Sequence, residues 1–86
     1  MKTTTPQAQS LQASLAQTVE RVMNDYLEAI GDQEPTNVYR LVIDEVERPM
    51  LEVLMSHTNN NQSKAAKYLG INRATLRTKL KRYDLL

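Results

Sequence analysis

Apolar residues recur at every third or fourth position between residues 10 and 30, which is the spacing of one face of an α-helix. That face consists of Leu11, Leu15, Val19, Met23, Tyr26, Leu27 and Ile30. Ser10 is predicted to cap this helix, and Gly31 is predicted to end it because glycine readily takes the left-handed conformation common after helices. Residues 1–9 are polar and are predicted to form a disordered tail.

A second helix is predicted to start at Thr36 or Asn37, either of which can cap it. It should end at residues 58–60, where two asparagines tolerate the left-handed conformation. Pro49 leaves two interpretations: the helix stops at Arg48, or it continues with a kink. The apolar period resumes directly after the proline, and this favours one kinked helix.

The second helix is apolar over most of its circumference, so it needs protein around it. A chain of 86 residues buries only a thin core by itself. The surrounding protein is therefore predicted to be a second copy of the chain, with residues 10–58 as the dimerisation core. The residues expected at its centre are Val42, Val46, Pro49, Met50, Val53 and Leu54.

Two short helices complete the predicted all-α fold. Asn61 opens the third helix, which covers residues 62–69, and residues 70–72 form a tight turn. Asn72 caps the fourth helix, which covers residues 73–83. Residues 59–86 are therefore predicted to be a helix–turn–helix, a unit whose second helix enters the major groove of DNA.

The residue types within this unit fit two closely packed helices. Ala65 and Ala66 are small where the helices approach each other, and Gly70 allows the sharp turn. Leu76 and Leu80 lie four residues apart, on one face of the fourth helix, and are predicted to pack that helix against the third. The residues predicted to cover the turn and the edges of this contact are Tyr68, Leu69, Ile71 and Tyr83.

Charge is divided sharply along the chain. Residues 59–86 hold seven basic residues and one acidic residue, a net charge of +6. Residues 1–58 hold four basic and nine acidic residues, a net charge of −5, so the formal net charge is only +1. A basic end beside an acidic body is typical of proteins that bind nucleic acid.

The outward face of the fourth helix is predicted to read double-stranded DNA in the major groove. Base contacts are expected from Asn72, Arg73 and Arg77, since a guanidinium suits guanine and small neighbours permit close approach. Phosphate contacts are expected from Thr75, Lys79, Lys81 and Arg82, with Asn61 and Ser63 presenting the start of the third helix to another phosphate.

Two alternatives compete with this interpretation. In the first, the basic residues are only a solvated face and Gly70 is an ordinary helix end. In the second, the chain is a helical dimerisation and protein-interaction module whose basic end binds an acidic protein. Small residues, glycine, buried leucines and basic residues in register favour DNA over the first alternative, and the second stays open.

Catalysis and metal binding are not expected. The chain has no cysteine and a single histidine, His57, so neither a disulfide nor a zinc site can form. No nucleophile accompanies that histidine, and we expect no enzyme activity, cofactor or small-molecule ligand. No signal peptide or apolar membrane span is visible, so a cytoplasmic protein without membrane contact is expected.

The acidic residues of the second helix are predicted to form a solvated face. Asp44, Glu45 and Glu47 lie at helical spacing from Arg40 and Arg48, which favours ion pairs along the helix. The alternatives are that this face tunes the exchange of subunits between dimers or contacts a subunit of RNA polymerase.

Two stretches of sequence resemble a known family. Residues 61–80 read NQSKAAKYLGINRATLRTKL, residues 39–51 read YRLVIDEVERPML, and both resemble the Fis family of bacterial nucleoid proteins. The resemblance implies a four-helix subunit in an intertwined homodimer with a kinked second helix. It also implies two recognition helices closer together than one turn of straight DNA, and hence DNA bending and transcriptional regulation on degenerate sites in the bacterial nucleoid.

The sequence departs from the family pattern in places. Only about ten polar residues precede the first helix where family members carry a longer arm, so stimulation of recombinases is not expected. Asn59 and Thr78 replace residues that are commonly basic, Asn60 replaces a glycine, and Asp84 adds a negative charge. The same unit also ends NtrC-type activators, but no phosphate-binding loop is present and a stand-alone protein is expected.

Overall fold

The computed structural model describes residues 6–86, and these residues form helices without any strand. The helices are α1 (Pro6–Ile30), α2 (Val38–His57), α3 (Gln62–Leu69) and α4 (Arg73–Arg82). The predicted all-α fold with a C-terminal helix–turn–helix is therefore confirmed. The chain divides into two compact units between Thr36 and Asn37, with α1 in the first unit and α2, α3 and α4 in the second.

The first helix begins earlier than predicted. It starts at Pro6, so residues 6–9 are helical and Ser10 lies inside the helix and does not cap it. Proline fits the first turn of a helix because its missing N–H would have had no partner there. The part of the predicted tail at residues 1–5 lies outside the described residues. The predicted end is confirmed, since Gly31 follows Ile30 with φ 59°.

The second helix passes through Pro49 without interruption, so the interpretation with a helix end at Arg48 is wrong. Asn37 occupies the predicted cap position, but it is left-handed (φ 53°) and its side chain makes no capping hydrogen bond. After Thr58 at the C-terminal end, Asn59 and Asn60 are both left-handed, with φ 53° and 64°. Their tolerance of this conformation ends the helix where the sequence predicts.

Helices α2, α3 and α4 end in the same backbone motif. After α2, the N–H of Asn60 donates to Met55 O at 2.8 Å; after α3, Ile71 donates to Ala66 O at 3.0 Å. After α4, Leu85 donates to Leu80 O at 2.8 Å. These six-to-one bonds define Schellman motifs, in which a left-handed residue lets the chain satisfy the last carbonyls of the helix and turn away.

The core of the second unit lies where the helix–turn–helix packs on α2. The residues predicted at the contact between α3 and α4 are all buried, namely the small residues Ala65 and Ala66 and the leucines Leu76 and Leu80. From α2 the core receives Leu51 and Met55, and Leu69, Ile71 and Leu85 pack against its edge.

The two tyrosines predicted at the edges differ from each other. Tyr83 is a core residue, only 3% exposed, while Tyr68 is 54% exposed. Tyr83 can be buried because its hydroxyl finds acceptors on α2, at Asp44 and Glu47. The ring of Tyr68 lies 6.3 Å from that of His57, which is exposed at the end of α2.

Candidate nucleic-acid interface

The turn of the helix–turn–helix is set by two asparagine caps and one glycine. Asn61 accepts a hydrogen bond from Lys64 N at 3.0 Å, and Asn72 accepts one from Ala74 N at 2.7 Å. Gly70 lies between the helices with φ 76°, a left-handed conformation that side chains disfavour. The caps fix the starts of α3 and α4, which are the positions from which a helix–turn–helix contacts DNA.

The first two turns of α4 present an exposed polar and cationic face. Arg73, Thr75 and Arg77 are exposed, whereas Leu76 between them is fully buried. Across residues 6–86, none of these three exposed side chains makes a hydrogen bond or an ion pair. Their donors are thus available to a ligand, and the predicted outward face is the observed one.

The asparagines of the predicted site already have one internal bond each. The Oδ1 atoms of Asn61 and Asn72 accept backbone hydrogen bonds, so each amide has its NH₂ group left to donate outward. The NH₂ group of Asn61 can donate to a phosphate oxygen, and that of Asn72 can donate to an acceptor on a base edge. Ser63, in the first turn of α3, is exposed.

Two of the predicted phosphate contacts are engaged within the subunit. Lys79 Nζ lies 2.7 Å from Glu47 Oε2, and the side chain of Glu47 is only 13% exposed. Arg82 holds Asp44 with two nitrogens, at 3.0 Å from Nη2 to Oδ2 and 3.3 Å from Nε to Oδ1. The structure therefore joins Lys79 and Arg82 to α2, whereas Lys81 is exposed and has no partner among the described residues.

Tyr83 lies at the centre of this contact between α2 and α4. Its hydroxyl donates to Glu47 Oε1 at 2.6 Å and lies 3.1 Å from Asp44 Oδ1. Its backbone carbonyl accepts from Arg48 Nη1 at 3.0 Å, and the Arg48 guanidinium stands 5.2 Å from its ring centroid. A cation over an aromatic face adds a further attraction. We call Asp44, Glu47 and Arg48 of α2, with Lys79 and Arg82 of α4 and the adjoining Tyr83, the polar clamp.

The polar clamp shifts the pKa values of Asp44, Glu47 and Tyr83. The hydrogen bond from Arg82 lowers the pKa of Asp44. Burial opposes ionisation of Glu47, but the hydrogen bonds from Lys79 and Tyr83 outweigh it and lower the pKa of Glu47. Burial and the bond to Glu47 raise the pKa of Tyr83. Both carboxylates are thus held in their charged form against the basic helix.

The prediction of a solvated acidic face on α2 is confirmed for Glu45, which is exposed, but it is wrong for Glu47, whose side chain is only 13% exposed. Only Arg40 and Asp44, 3.3 Å apart, form the predicted pair along the helix. Asp44 and Glu47 pair mainly with α4 because they lie three residues apart on one face, opposite two cations with the same spacing. The equal spacing of the two rows is visible in the sequence, but a solvated face can have the same spacing, so the spacing alone does not predict the contact.

Residues 6–86 contain no group of three or more His, Asp or Glu side chains arranged to hold a metal ion. None of the described helices is both long and apolar enough to cross a membrane.

The fold and the exposed cationic start of α4 define a small helix–turn–helix protein. Residues 42–83 match the sequence profile of the family described as "Bacterial regulatory protein, Fis family". The chain is 47% identical over 79 residues to DNA-binding protein Fis of Glaesserella parasuis serovar 5 (strain SH0165), covering 92% of this chain and 81% of that protein. It is 46% identical over 83 residues to DNA-binding protein Fis of Aliivibrio fischeri (strain MJ11), covering 96% and 85%. The corresponding protein of Mannheimia haemolytica is 44% identical over 79 residues, covering 92% and 81%. The chain belongs to the Fis family, and the resemblance in its sequence is confirmed.

Proposed function

We propose that this protein is a dimeric, sequence-tolerant DNA-binding protein that bends DNA and regulates transcription in the bacterial nucleoid. The observation that carries the proposal is the exposed face of α4, where Arg73, Thr75 and Arg77 have no partner within residues 6–86. The relatives named DNA-binding protein Fis support it.

In the proposed complex α4 enters the major groove. Arg73 and Arg77 lie four residues apart, so both project from the same side of the helix, and a guanidinium pairs with O6 and N7 of guanine. Thr75, Lys81 and Ser63 contact the phosphates on either side, which fixes the orientation of α4 without selecting a sequence. Few base contacts among many phosphate contacts explain tolerance of degenerate sites.

The apolar surface of α2 supports the proposed homodimer. Tyr39, Leu41, Met50 and Val53 are 71%, 49%, 46% and 69% exposed in the single subunit, although all are large and apolar. Large apolar side chains are exposed on α1 as well, at Leu11, Leu15, Val22 and Leu27, and exposed apolar surface of this kind marks an interaction site. Of the residues predicted at the dimer core, Val42, Val46 and Leu54 are partly buried within the subunit, and Pro49 is exposed.

A second copy of the chain is the occupant we propose for this surface. It would also set the distance between the two α4 helices, and in the family pattern that distance requires the DNA to bend. Contact with RNA polymerase through the remaining surface, and residence in the cytoplasm without membrane association, belong to the same proposal.

Arg73→Ala tests the assignment of α4 as the reading helix. We expect it to weaken binding to a duplex selected from a random library by about 1–3 kcal/mol, while binding to unselected duplexes falls less. Arg21→Ala is the matched control, because it removes the same charge from an exposed position on α1. Sedimentation should show one unchanged oligomeric state for all three proteins.

The ratio of the two affinities decides the assignment. An equal loss on selected and unselected duplexes would mean that Arg73 contacts a phosphate and not a base. Unchanged binding to both would remove Arg73 from the interface.

A further inference from the structure

The ion pair between Asp44 and Arg82 joins a cation of the DNA-binding unit to a carboxylate of α2. Arg82 Nη2 lies 3.0 Å from Oδ2 and 3.1 Å from Oδ1, and Nε lies 3.3 Å from Oδ1. This is the forked geometry in which a guanidinium also binds a phosphate. The same donors of Arg82 therefore cannot serve both acceptors at once.

The pair is open to competition from solvent. The side chains of Arg82 and Asp44 are 44% and 36% exposed, whereas in the neighbouring pair Glu47 is only 13% exposed. Exposed ion pairs contribute little to stability, so a phosphate can replace one at small cost. Glu47 holds the shorter bond to the Tyr83 hydroxyl, 2.6 Å against 3.1 Å for Asp44, so the clamp keeps its buried acceptor without Asp44.

We propose that Asp44 is a positioning residue that competes with DNA phosphates for Arg82 and thereby limits the sequence-independent part of the DNA affinity. This inference rests on the proposed function. Phosphate contacts supply the affinity common to all duplexes, and each one adds to the dependence of binding on salt. While Asp44 holds Arg82, Arg82 adds no phosphate contact to the complex, and the base contacts of α4 are unaffected.

Asp44→Asn tests the inference, because asparagine keeps the shape of the side chain and removes the charge. The equilibrium constant for an unselected duplex is measured at several salt concentrations from 50 to 200 mM. One additional phosphate contact in each protomer should steepen the plot of log K against log salt by about 0.9 per protomer, or about 1.8 for the dimer. The variant should then lose about 12-fold more affinity than the parent across that range.

Glu45→Gln is the matched control. It removes the same charge from the adjacent position, and Glu45 is exposed and makes no hydrogen bond or ion pair with the described residues. Its salt slope should stay at the parent value. Adding Arg82→Gln to Asp44→Asn should return the slope to the parent value, because Arg82 is the cation that was released.

Three results would overturn the inference. Equal slopes for Asp44→Asn and Glu45→Gln would show an effect of overall charge alone. A shallower slope for Asp44→Asn would show that Asp44 presents Arg82 to DNA. An unchanged slope after adding Arg82→Gln would show that another cation was released.

Two controls separate failure of this inference from other failures. Circular dichroism checks that each variant is folded, and Asp44→Ala repeats the test if the asparagine variant is not. The parent must itself bind the duplex. If the parent binds no duplex, the proposed function fails and the inference fails with it, whereas parallel slopes with a binding parent remove only the role of Asp44.

Discussion

Replacing Glu47 by glutamine should show how much the polar clamp contributes to stability. The carboxylate of Glu47 is 13% exposed and lies 2.7 Å from Lys79 Nζ. Glutamine keeps the volume and an acceptor for the Tyr83 hydroxyl, but it leaves the ammonium without a counterion. A hydrogen bond to a charged group is worth about 1.5–3 kcal/mol, and a fully exposed ion pair about 0–1 kcal/mol.

The side chain of Lys79 is 34% exposed, so solvent partly screens its charge. The free energy lost in Glu47→Gln should therefore lie between these limits. We expect the variant to lower the free energy of unfolding by about 1–2 kcal/mol at pH 7. Urea unfolding at one fixed protein concentration measures the loss, since the stability of a dimer depends on concentration. Glu45→Gln is the matched control and should change the free energy by less than about 0.5 kcal/mol.

The pH dependence of this difference identifies its cause. Because folding lowers the pKa of Glu47, the folded protein favours the carboxylate, and the stabilisation is complete above the ordinary carboxyl pKa of about 4.3. It is lost as the pH falls through the lower pKa of the folded state. The difference between the parent and Glu47→Gln should therefore shrink below about pH 4. A difference that stays constant down to pH 2.5 would refute the assignment to the charged form.

Three further predictions concern the core, a helix end and the shape of α2. Leu80→Ala should lower the free energy of unfolding by about 2–5 kcal/mol, because Leu80 is fully buried. Leu86→Ala, at a 54% exposed position, should lower it little. Comparable losses for the two variants in urea unfolding would contradict the observed core. Asn60→Gly should raise the free energy of unfolding by about 0.5–1 kcal/mol, and with it the melting temperature, because Asn60 has φ 64° and glycine takes this conformation without strain. A lower melting temperature would show that the asparagine side chain stabilises the turn. Pro49→Ala should restore a backbone hydrogen bond, straighten α2 and change the DNA bend seen by gel phasing, and an unchanged bend would remove the role of the proline.

The helix–turn–helix was predictable because its signals are local. Asn61 and Asn72 cap their helices, and Gly70 supplies the left-handed turn, at the positions read from the sequence. The burial of Leu76 and Leu80 followed from their spacing on one helix face. Propensities, caps and apolar period agree over these residues, which is the condition under which sequence specifies structure.

The polar clamp was missed because it depends on how α2 packs against α4. Residues 44 and 47 meet residues 79, 82 and 83 across more than 30 positions of sequence. An acidic pair at helical spacing fits a solvated face equally well until its partner helix is known. The start of α1 at Pro6 differs from the prediction for another reason, because the preference of proline for the first helical turn outweighs the polar composition of residues 6–9.

The DNA-binding proposal is tested most directly by titrating the purified protein into a labelled duplex of about 27 base pairs at 50 and 200 mM salt. A dimer that neutralises six to ten phosphates should lose affinity by about 10³–10⁵ across this range. We predict tight binding at low salt as a single shifted dimer complex with a slope of that size. Absence of binding at 50 mM salt would contradict the account, and the basic face of α4 would then be assigned to an acidic protein partner.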